Sequence, residues 1–141
     1  MKLAFVYAGQ GSQFAGMGKD LYENYPAARA VFDQFPADFD LRTTCFEDPD
    51  GLLNQTRYTQ PCMLAVAMAI TDILAENGIT PEMTAGLSLG EYSALYCAGV
   101  LDRQTAAELI TFRGQAMQKA SEGVESGMTA ILGLDRELVQ K

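Results

Sequence analysis

The sequence of 141 residues contains no histidine and no tryptophan. Histidine is the most frequent general base in enzymes and the commonest metal ligand in proteins. Its absence, with only three widely spaced cysteines at Cys45, Cys62 and Cys97, argues against a zinc site. An odd number of cysteines without a CxxC pair indicates reduced thiols, so we expect a cytoplasmic protein.

Positive charge is also scarce. Ten lysines and arginines stand against eighteen aspartates and glutamates, which gives a net charge of −8. A protein that binds nucleic acid or an anionic membrane surface needs a basic patch, and we expect neither partner here. We expect no apolar run to span a bilayer and find no signal-peptide core at the N-terminus. The hydrophobic fraction of 48% is typical of a globular protein.

Alternating strand and helix patterns predict an α/β fold with a mostly parallel sheet. A buried strand at 2–7 ends in glycines, and helices are expected within 17–35, interrupted at Pro26. Turn-forming residues indicate irregular structure over 36–59. The segment 61–78 is almost entirely apolar, with a proline suited to a first helical turn and a glycine suited to the end. It predicts a helix that is buried on most sides.

The second half of the chain continues this alternation. We expect a strand at 83–85, a helix at 91–98, a helix from Asp102 to Ser121, a strand at 128–134 and a helix that begins at Asp135. The last helix has barely begun when the sequence ends. We therefore expect the chain to be a piece of a longer protein.

The segment 86-GLSLG-90 has the GxSxG spacing of a nucleophile elbow. In such an elbow a sharp turn from strand to helix exposes the serine oxygen, and side chains larger than glycine at the flanks would clash. Ser88 is then the candidate nucleophile, and the main-chain N–H of Leu89 can face an oxyanion. The alternative is an ordinary turn flanked by glycines, and the motif alone leaves both open.

The segment 8-AGQGSQ-13 directly follows the first strand. Its main-chain N–H groups can bind an anion or an oxyanion, or the loop can be only a tight turn between strand and helix. Its spacing fits neither a dinucleotide-binding GxGxxG motif nor a P-loop.

Arg113 is a second candidate, because helical spacing puts it in an apolar stripe with Leu109, Ala116, Met117 and Ala120. A buried guanidinium needs an anionic partner. That partner is either an internal carboxylate or the carboxylate of a substrate, which arginine can bind through two hydrogen bonds. A third alternative is a bent side chain that reaches water.

Two further polar residues have less specific interpretations. Glu91 lies close enough to Ser88 to be considered as a base, but an ordinary glutamate is weakly basic near neutral pH and suits a helix start better. Gln60 is interpreted as a polar residue at a helix entry.

The motifs GQGSQ, GLSLGEYSAL and FRGQAMQKA, in this order along the chain, resemble the malonyl-CoA:acyl carrier protein transacylase family. The segments 59-TQPCMLA-65 and 97-CAGVLD-102 are similar to this family as well. The resemblance implies an α/β-hydrolase-like parallel sheet with an inserted ferredoxin-like subdomain. Residues 1–124 would belong to the larger part, and residues 125–141 would start the smaller one.

The resemblance implies a function and a set of site residues. Ser88 would accept a malonyl group from coenzyme A and pass it to the phosphopantetheine thiol of acyl carrier protein, in fatty acid biosynthesis. Main-chain N–H groups of Gln10 and Leu89 would hold the oxyanion. Arg113 would bind the malonyl carboxylate and Gln60 would line the pocket. The family needs no metal or redox cofactor, and the coenzyme A thioester is a substrate.

The sequence departs from the family in two ways. The family's catalytic histidine lies beyond the position where Lys141 ends this chain, and Leu87 occupies the place of a histidine that usually precedes the nucleophile. A serine hydrolase or thioesterase would share the elbow, but it gives no reason for Arg113. A non-catalytic module that keeps the elbow is a third interpretation.

Overall fold

The computed structural model describes residues 2–123 and 131–139, and these residues form a mixed α/β fold. In chain order the elements are β1 (Ala4–Tyr7), α1 (Lys19–Asn24), α2 (Pro26–Gln34), α3 (Leu41–Phe46), a 3-10 turn (Leu52–Asn54), α4 (Thr56–Glu76), β2 (Met83–Gly86), α5 (Gly90–Cys97), α6 (Arg103–Ser121) and α7 (Arg136–Val139).

The two strands pair in parallel, which confirms the predicted strand orientation. Ala4 lies opposite Met83 and Tyr7 opposite Gly86, so both strands end at the same edge. The prediction that the first strand is buried is wrong for the described residues, since Val6 is 78% exposed. Each strand has only one neighbouring strand in this part of the chain, and a parallel sheet is normally covered on both faces only when more elements surround it.

Helix α4 is the centre of the core and packs against α2 on one side and α6 on the other. The described core contains Met68, Ala69 and Cys62 of α4, Val31 and Phe32 of α2, and Ala106, Ala107 and Ile110 of α6. Small residues at the contact let the helix axes approach closely. The helix is less buried than predicted: nine of its 21 residues are buried, and Ile70 is 42% exposed.

The predicted start of this helix is wrong. It begins at Thr56, where the main-chain N–H groups of Tyr58 and Thr59 both donate to the Gln55 carbonyl over 2.8 and 2.9 Å. Pro61 therefore lies inside the helix and is fully buried. Burial of this segment in the core outweighs the loss of one helical hydrogen bond at the proline.

The prediction that no apolar run is able to span a bilayer is wrong by length and composition. Helix α4 is 21 residues long with a mean hydropathy of 1.3, so by length and composition it is able to cross a bilayer. Half of that stretch is buried inside the fold, as in the core helix of a globular protein. The pattern alone is therefore weak evidence for a membrane span.

A polar network joins three helices near the C-terminal end of α5. The Tyr96 hydroxyl donates to Asp72 Oδ1 over 2.6 Å, and Arg103 Nη2 donates to Asp72 Oδ2 over 2.6 Å. Burial, followed by the hydrogen bond to Asp72, raises the pKa of Tyr96 to about 12. The network ties α5 to α4 and α6.

The remaining elements agree with the sequence predictions in part. Helix α2 begins at Pro26 and helix α6 is capped by Asp102, whose carboxylate accepts the Thr105 N–H over 2.7 Å, as expected. Helix α3 occupies a region predicted to be irregular. Of the strand predicted at 128–134, residues 128–130 lie outside the described residues and residues 131–134 are not in a strand. A short helix does follow Asp135.

Candidate active site

Ser88 lies in a strained turn between β2 and α5. Its φ of 55° is in the left-handed region, which non-glycine residues seldom adopt and which is typical of functional turns. A Cβ atom at Gly86 would lie 2.0 Å from the carbonyl of Gly90, and one at Gly90 would lie 2.5 Å from Tyr7 O. The expected reason for glycine on both sides of the serine is therefore confirmed.

The loop after β1 lies against this elbow. The Leu87 N–H donates to Tyr7 O over 3.0 Å, and a Cβ atom at Gly9 would lie 2.9 Å from Leu87 O. The side chain of Leu87 is 71% exposed, whereas Leu89 is buried. Within residues 2–123 and 131–139, the main-chain N–H groups of Gln10 and Leu89 have no hydrogen-bond acceptor.

Arg113 reaches the serine from α6. Its Nη2 donates to Ser88 Oγ over 3.0 Å, and its Nη1 donates to Gln60 Oε1 over 2.7 Å. The guanidinium carbon lies 5.8 Å from the centre of the Tyr92 ring, within range of a cation–π interaction. Three helices, α4, α5 and α6, thus meet at one guanidinium group.

The interpretation of the stripe around Arg113 as a buried apolar face is wrong. Leu109 is 41% exposed and Met117 is 44% exposed, and the buried face of α6 is instead formed by Ala106, Ala107, Ile110 and Gly114. The helix packs on α4 through three small residues and Ile110, and the larger side chains of Leu109, Phe112 and Met117 lie outside this contact. The internal carboxylate partner is also not found among the described residues, since both hydrogen-bond acceptors of Arg113 are neutral.

Gln60 is more deeply placed than a helix-entry residue. It lies in the second turn of α4, is fully buried, and uses its Nε2 to donate to Met117 Sδ over 3.3 Å. The oxygen and the nitrogen of its side-chain amide therefore both form hydrogen bonds with residues of α6. The structure brings Ser88, Arg113 and Gln60 together through direct hydrogen bonds.

Thr56 is a residue at the site that the sequence analysis missed. Its Oγ1 accepts a hydrogen bond from Gln10 Nε2 over 3.0 Å, which connects the loop after β1 to the start of α4. A signal was present in the sequence, because Thr56 and Gln60 are four residues apart and share a helix face. It was hidden by the assumption that the helix begins at Pro61.

The other candidate groups are not placed for catalysis. The exposed Glu91 side chain forms no hydrogen bond with Ser88 in the described part of the chain, although its N–H donates to Ser88 O over 3.2 Å. A hydrogen bond to Cys62, followed by burial, raises the pKa of the Cys45 thiol above its ordinary value, so it is a poor nucleophile. The described residues contain no group of three potential metal ligands.

Comparisons with known proteins agree with these features. Residues 4–140 match the family described as acyl transferase domain. The chain is 44% identical over 142 residues to the malonyl CoA-acyl carrier protein transacylase of Bacillus subtilis, covering 99% of this chain and 45% of that protein.

Two solved structures are similar over almost the whole chain. A malonyl CoA-acyl carrier protein transacylase from Clostridium perfringens has a TM-score of 0.84 at 39% identity, with 99% of this chain and 45% of that one covered. A malonyl-transacylase in complex with its type II PKS acyl-carrier protein has a TM-score of 0.83 at 42% identity, with 97% and 45% covered. The chain spans about half the length of these relatives. It belongs to the acyl transferase domain family.

Proposed function

We propose that the protein carrying this chain moves a malonyl group from coenzyme A to the phosphopantetheine thiol of acyl carrier protein, in fatty acid biosynthesis. The observation that carries the proposal is the guanidinium of Arg113, 3.0 Å from Ser88 Oγ and without a carboxylate partner among the described residues. In a malonyl group a single methylene separates the free carboxylate from the reacting carbonyl. An arginine beside the nucleophile is therefore suited to bind it.

Acyl transfer proceeds in two steps. In the first, Ser88 Oγ bonds to the thioester carbon, the carbon–sulfur bond breaks, and coenzyme A leaves with the serine proton on its thiol. In the second, the carrier-protein thiol attacks the malonyl-serine ester and the serine recovers its proton. The base that moves these protons is proposed to be a histidine of the family that is not in this sequence.

The oxyanion of each tetrahedral intermediate is assigned to the main-chain N–H groups of Gln10 and Leu89. Support comes from their lack of acceptors within the described residues. Leu89 also immediately precedes α5, whose N-terminus carries partial positive charge. Donors fixed in place before the reaction stabilise developing charge with little reorganisation.

Arg113 is assigned to the malonyl carboxylate. Gln60 is assigned to the same pocket, where it holds one guanidinium nitrogen while the other faces Ser88. A substrate carboxylate can replace Ser88 Oγ as the acceptor of that second nitrogen. The serine oxygen is then free to attack, and the charge of Arg113 is neutralised.

The wider assignments follow from the family. We place residues 1–124 in an α/β-hydrolase-like subdomain and residues 125–141 at the start of a ferredoxin-like one.

Acyl carrier protein is the proposed partner, supported by the similar malonyl-transacylase solved with its carrier protein. The reaction is placed in the cytoplasm, in keeping with buried free thiols at Cys45 and Cys62. The coenzyme A thioester is a substrate, and the proposed chemistry needs no other cofactor.

Intact-mass spectrometry of the protein after brief exposure to malonyl-CoA tests the proposal. We expect one malonyl adduct, which peptide mapping assigns to the segment that contains Ser88, and its discharge on addition of holo acyl carrier protein. A protein that stays unmodified would contradict the proposal. An adduct that only water removes would instead favour a serine hydrolase.

A further inference from the structure

The loop after β1 is attached by its glutamine side chains to the chain that leads into α4. Gln10 Nε2 donates to Thr56 Oγ1 over 3.0 Å, and Gln13 Nε2 donates to Asn54 Oδ1 over 3.4 Å. Gln13 Oε1 also accepts the Gly11 N–H over 2.8 Å. These glutamines therefore hold the loop in place through their side chains.

Such attachment matters because the loop is built from residues that do not hold a conformation by themselves. Gly9 and Gly11 flank Gln10, and Gly11 has a φ of 112°. Glycine loses more conformational freedom on ordering than any other residue, so the loop needs outside contacts to become fixed. On the elbow side, Gly9 lies against Leu87 O. On the other side, the contact for Gln10 is Thr56.

The same face of α4 also holds the arginine. Thr56 and Gln60 are four residues apart in the helix, and Gln60 Oε1 accepts from Arg113 over 2.7 Å. Helix α6 rests directly on this turn, because a Cβ atom at Gly114 would lie only 3.2 Å from Thr56 O. One helical turn thus contacts the loop that carries the Gln10 N–H and the helix that carries the guanidinium.

We infer that Thr56 is a positioning residue for acyl transfer, which fixes the main-chain N–H of Gln10 at the oxyanion through the Gln10 side chain. The first turn of α4 then sets the spacing between the oxyanion donor and the carboxylate-binding Arg113. This inference rests on the proposed function, since it assigns the Gln10 N–H to the oxyanion. It adds that the Gln10 side chain and Thr56 act as one unit.

The test uses the protein that carries this chain and measures the rate of Ser88 acylation by malonyl-CoA. Thr56→Val keeps the branched shape and removes the hydroxyl, and Gln10→Leu removes the amide from the other side. Each is expected to lower kcat about tenfold, because a displaced oxyanion donor loses much of its effect. KM should stay within about twofold, because Arg113 is untouched.

The double variant distinguishes a shared bond from two independent effects. If the two side chains act only through each other, Thr56→Val combined with Gln10→Leu is no slower than either single variant. Thr56→Ser, which keeps the hydroxyl, should restore the rate. Losses that multiply in the double variant, a change confined to KM, or no rescue by serine would overturn the inference.

Thr111→Val is the matched control, since the Thr111 hydroxyl donates only to Ala107 O of its own helix, over 2.8 Å. It should leave kcat unchanged, and a loss equal to that of Thr56→Val would count against a specific role for Thr56. Thermal unfolding of each variant separates a lost fold from a displaced loop. If the unaltered protein gains no malonyl group on Ser88, the proposed function fails. If it does and Thr56→Val reacts normally, only this inference fails.

Discussion

Arg113 donates a hydrogen bond to the oxygen of Ser88 over 3.0 Å while Gln60 holds its other terminal nitrogen over 2.7 Å. A charged donor on the nucleophile lowers the electron density of its lone pairs, so this contact must change before the serine can attack. The malonyl carboxylate is the group that can make that exchange in the proposed reaction. Binding of the malonyl carboxylate to Arg113 would then also free Ser88 Oγ from its hydrogen bond to Arg113.

The first prediction concerns this arginine. Arg113→Ala should lower malonyl transfer by about 100-fold, since hydrogen bonds to charged groups are among the strongest in proteins. Acetyl transfer, which involves no free carboxylate, should fall much less. Steady-state assays with malonyl-CoA and acetyl-CoA on the same preparation measure both. Equal losses would mean that Arg113 has only a structural role.

Arg113→Lys is the companion variant. Lysine keeps the charge but lacks the planar fork that reaches Gln60 Oε1 and Ser88 Oγ together. We expect most of the malonyl activity to be lost here as well. Full activity of the lysine variant would show that charge alone is enough.

The second prediction concerns the backbone of the elbow. Ser88→Ala and Ser88→Gly should both abolish malonyl labelling, because neither has a nucleophile. They should differ in stability, because only glycine adopts a φ of 55° without strain. The glycine variant should be more stable than the alanine variant by about 1 kcal/mol. Urea unfolding of the two variants measures the difference, and equal midpoints would argue against a strained turn.

The third prediction concerns the glycines beside the serine. Gly90→Ala should destabilise the fold by about 3 kcal/mol or more, because the new Cβ atom would lie 2.5 Å from Tyr7 O. Gly78→Ala is the control, because it adds the same methyl group where the space around the new Cβ atom is open. The φ of Gly78 is 73°, so the only expected cost there is backbone strain. It should cost only about 1 kcal/mol. Similar costs at both positions would contradict the close contact between α5 and β1.

The fourth prediction follows from the raised pKa of Tyr96. An unfolded tyrosine ionises near pH 10.0, whereas Tyr96 in the folded protein has a pKa of about 12. The unfolded state therefore releases its proton first as pH rises. The stabilisation from neutral Tyr96 is complete below pH 10 and is lost as pH passes 12.

Urea unfolding between pH 9 and pH 12 measures this loss. Tyr96→Phe should be less stable than the unaltered protein at neutral pH, because Asp72 loses a hydrogen bond, and its free energy of unfolding should fall less steeply above pH 10. An identical slope in both proteins would assign the alkaline loss to other groups.

The fifth prediction concerns the residue that departs from the family pattern. Leu87 is 71% exposed, its hydrogen bonds to Tyr7 and Gly90 use its main chain, and its side chain lies beside Gly9. Leu87→His should therefore leave malonyl transfer almost unchanged. A collapse of activity would mean that an apolar group beside the nucleophile is required.

The elbow was predictable from the sequence because its cause is local. The spacing of the two glycines around the serine follows from two contacts. Gly86 lies against Gly90 within the five-residue elbow, and Gly90 lies against Tyr7 at the end of β1. The cap at Asp102 was predictable for the same reason. Asp40 caps α3 in the same way, by accepting the Thr43 N–H over 3.0 Å. The capping rule applies to Asp40 as it does to Asp102, but the surrounding turn-forming residues favoured an irregular segment.

The surroundings of Arg113 were not predictable, because they depend on which face of α6 meets α4. Helical spacing predicted that the apolar stripe with Leu109 and Met117 is the buried face, but the face that packs on α4 consists of Ala106, Ala107, Ile110 and Gly114. The roles of Gln60 and Thr56 were hidden for a related reason. Both depend on a helix that continues through Pro61, which local rules place at a helix start.

The left-handed backbone at Ser88 also limits the chemistry that can develop at this position. A side chain branched at Cβ is strongly disfavoured at positive φ, so threonine cannot take over as the nucleophile even though it carries the same hydroxyl. Cysteine is unbranched and fits. The turn therefore restricts evolutionary or designed change of the nucleophile to side chains that are unbranched at Cβ, such as cysteine or aspartate.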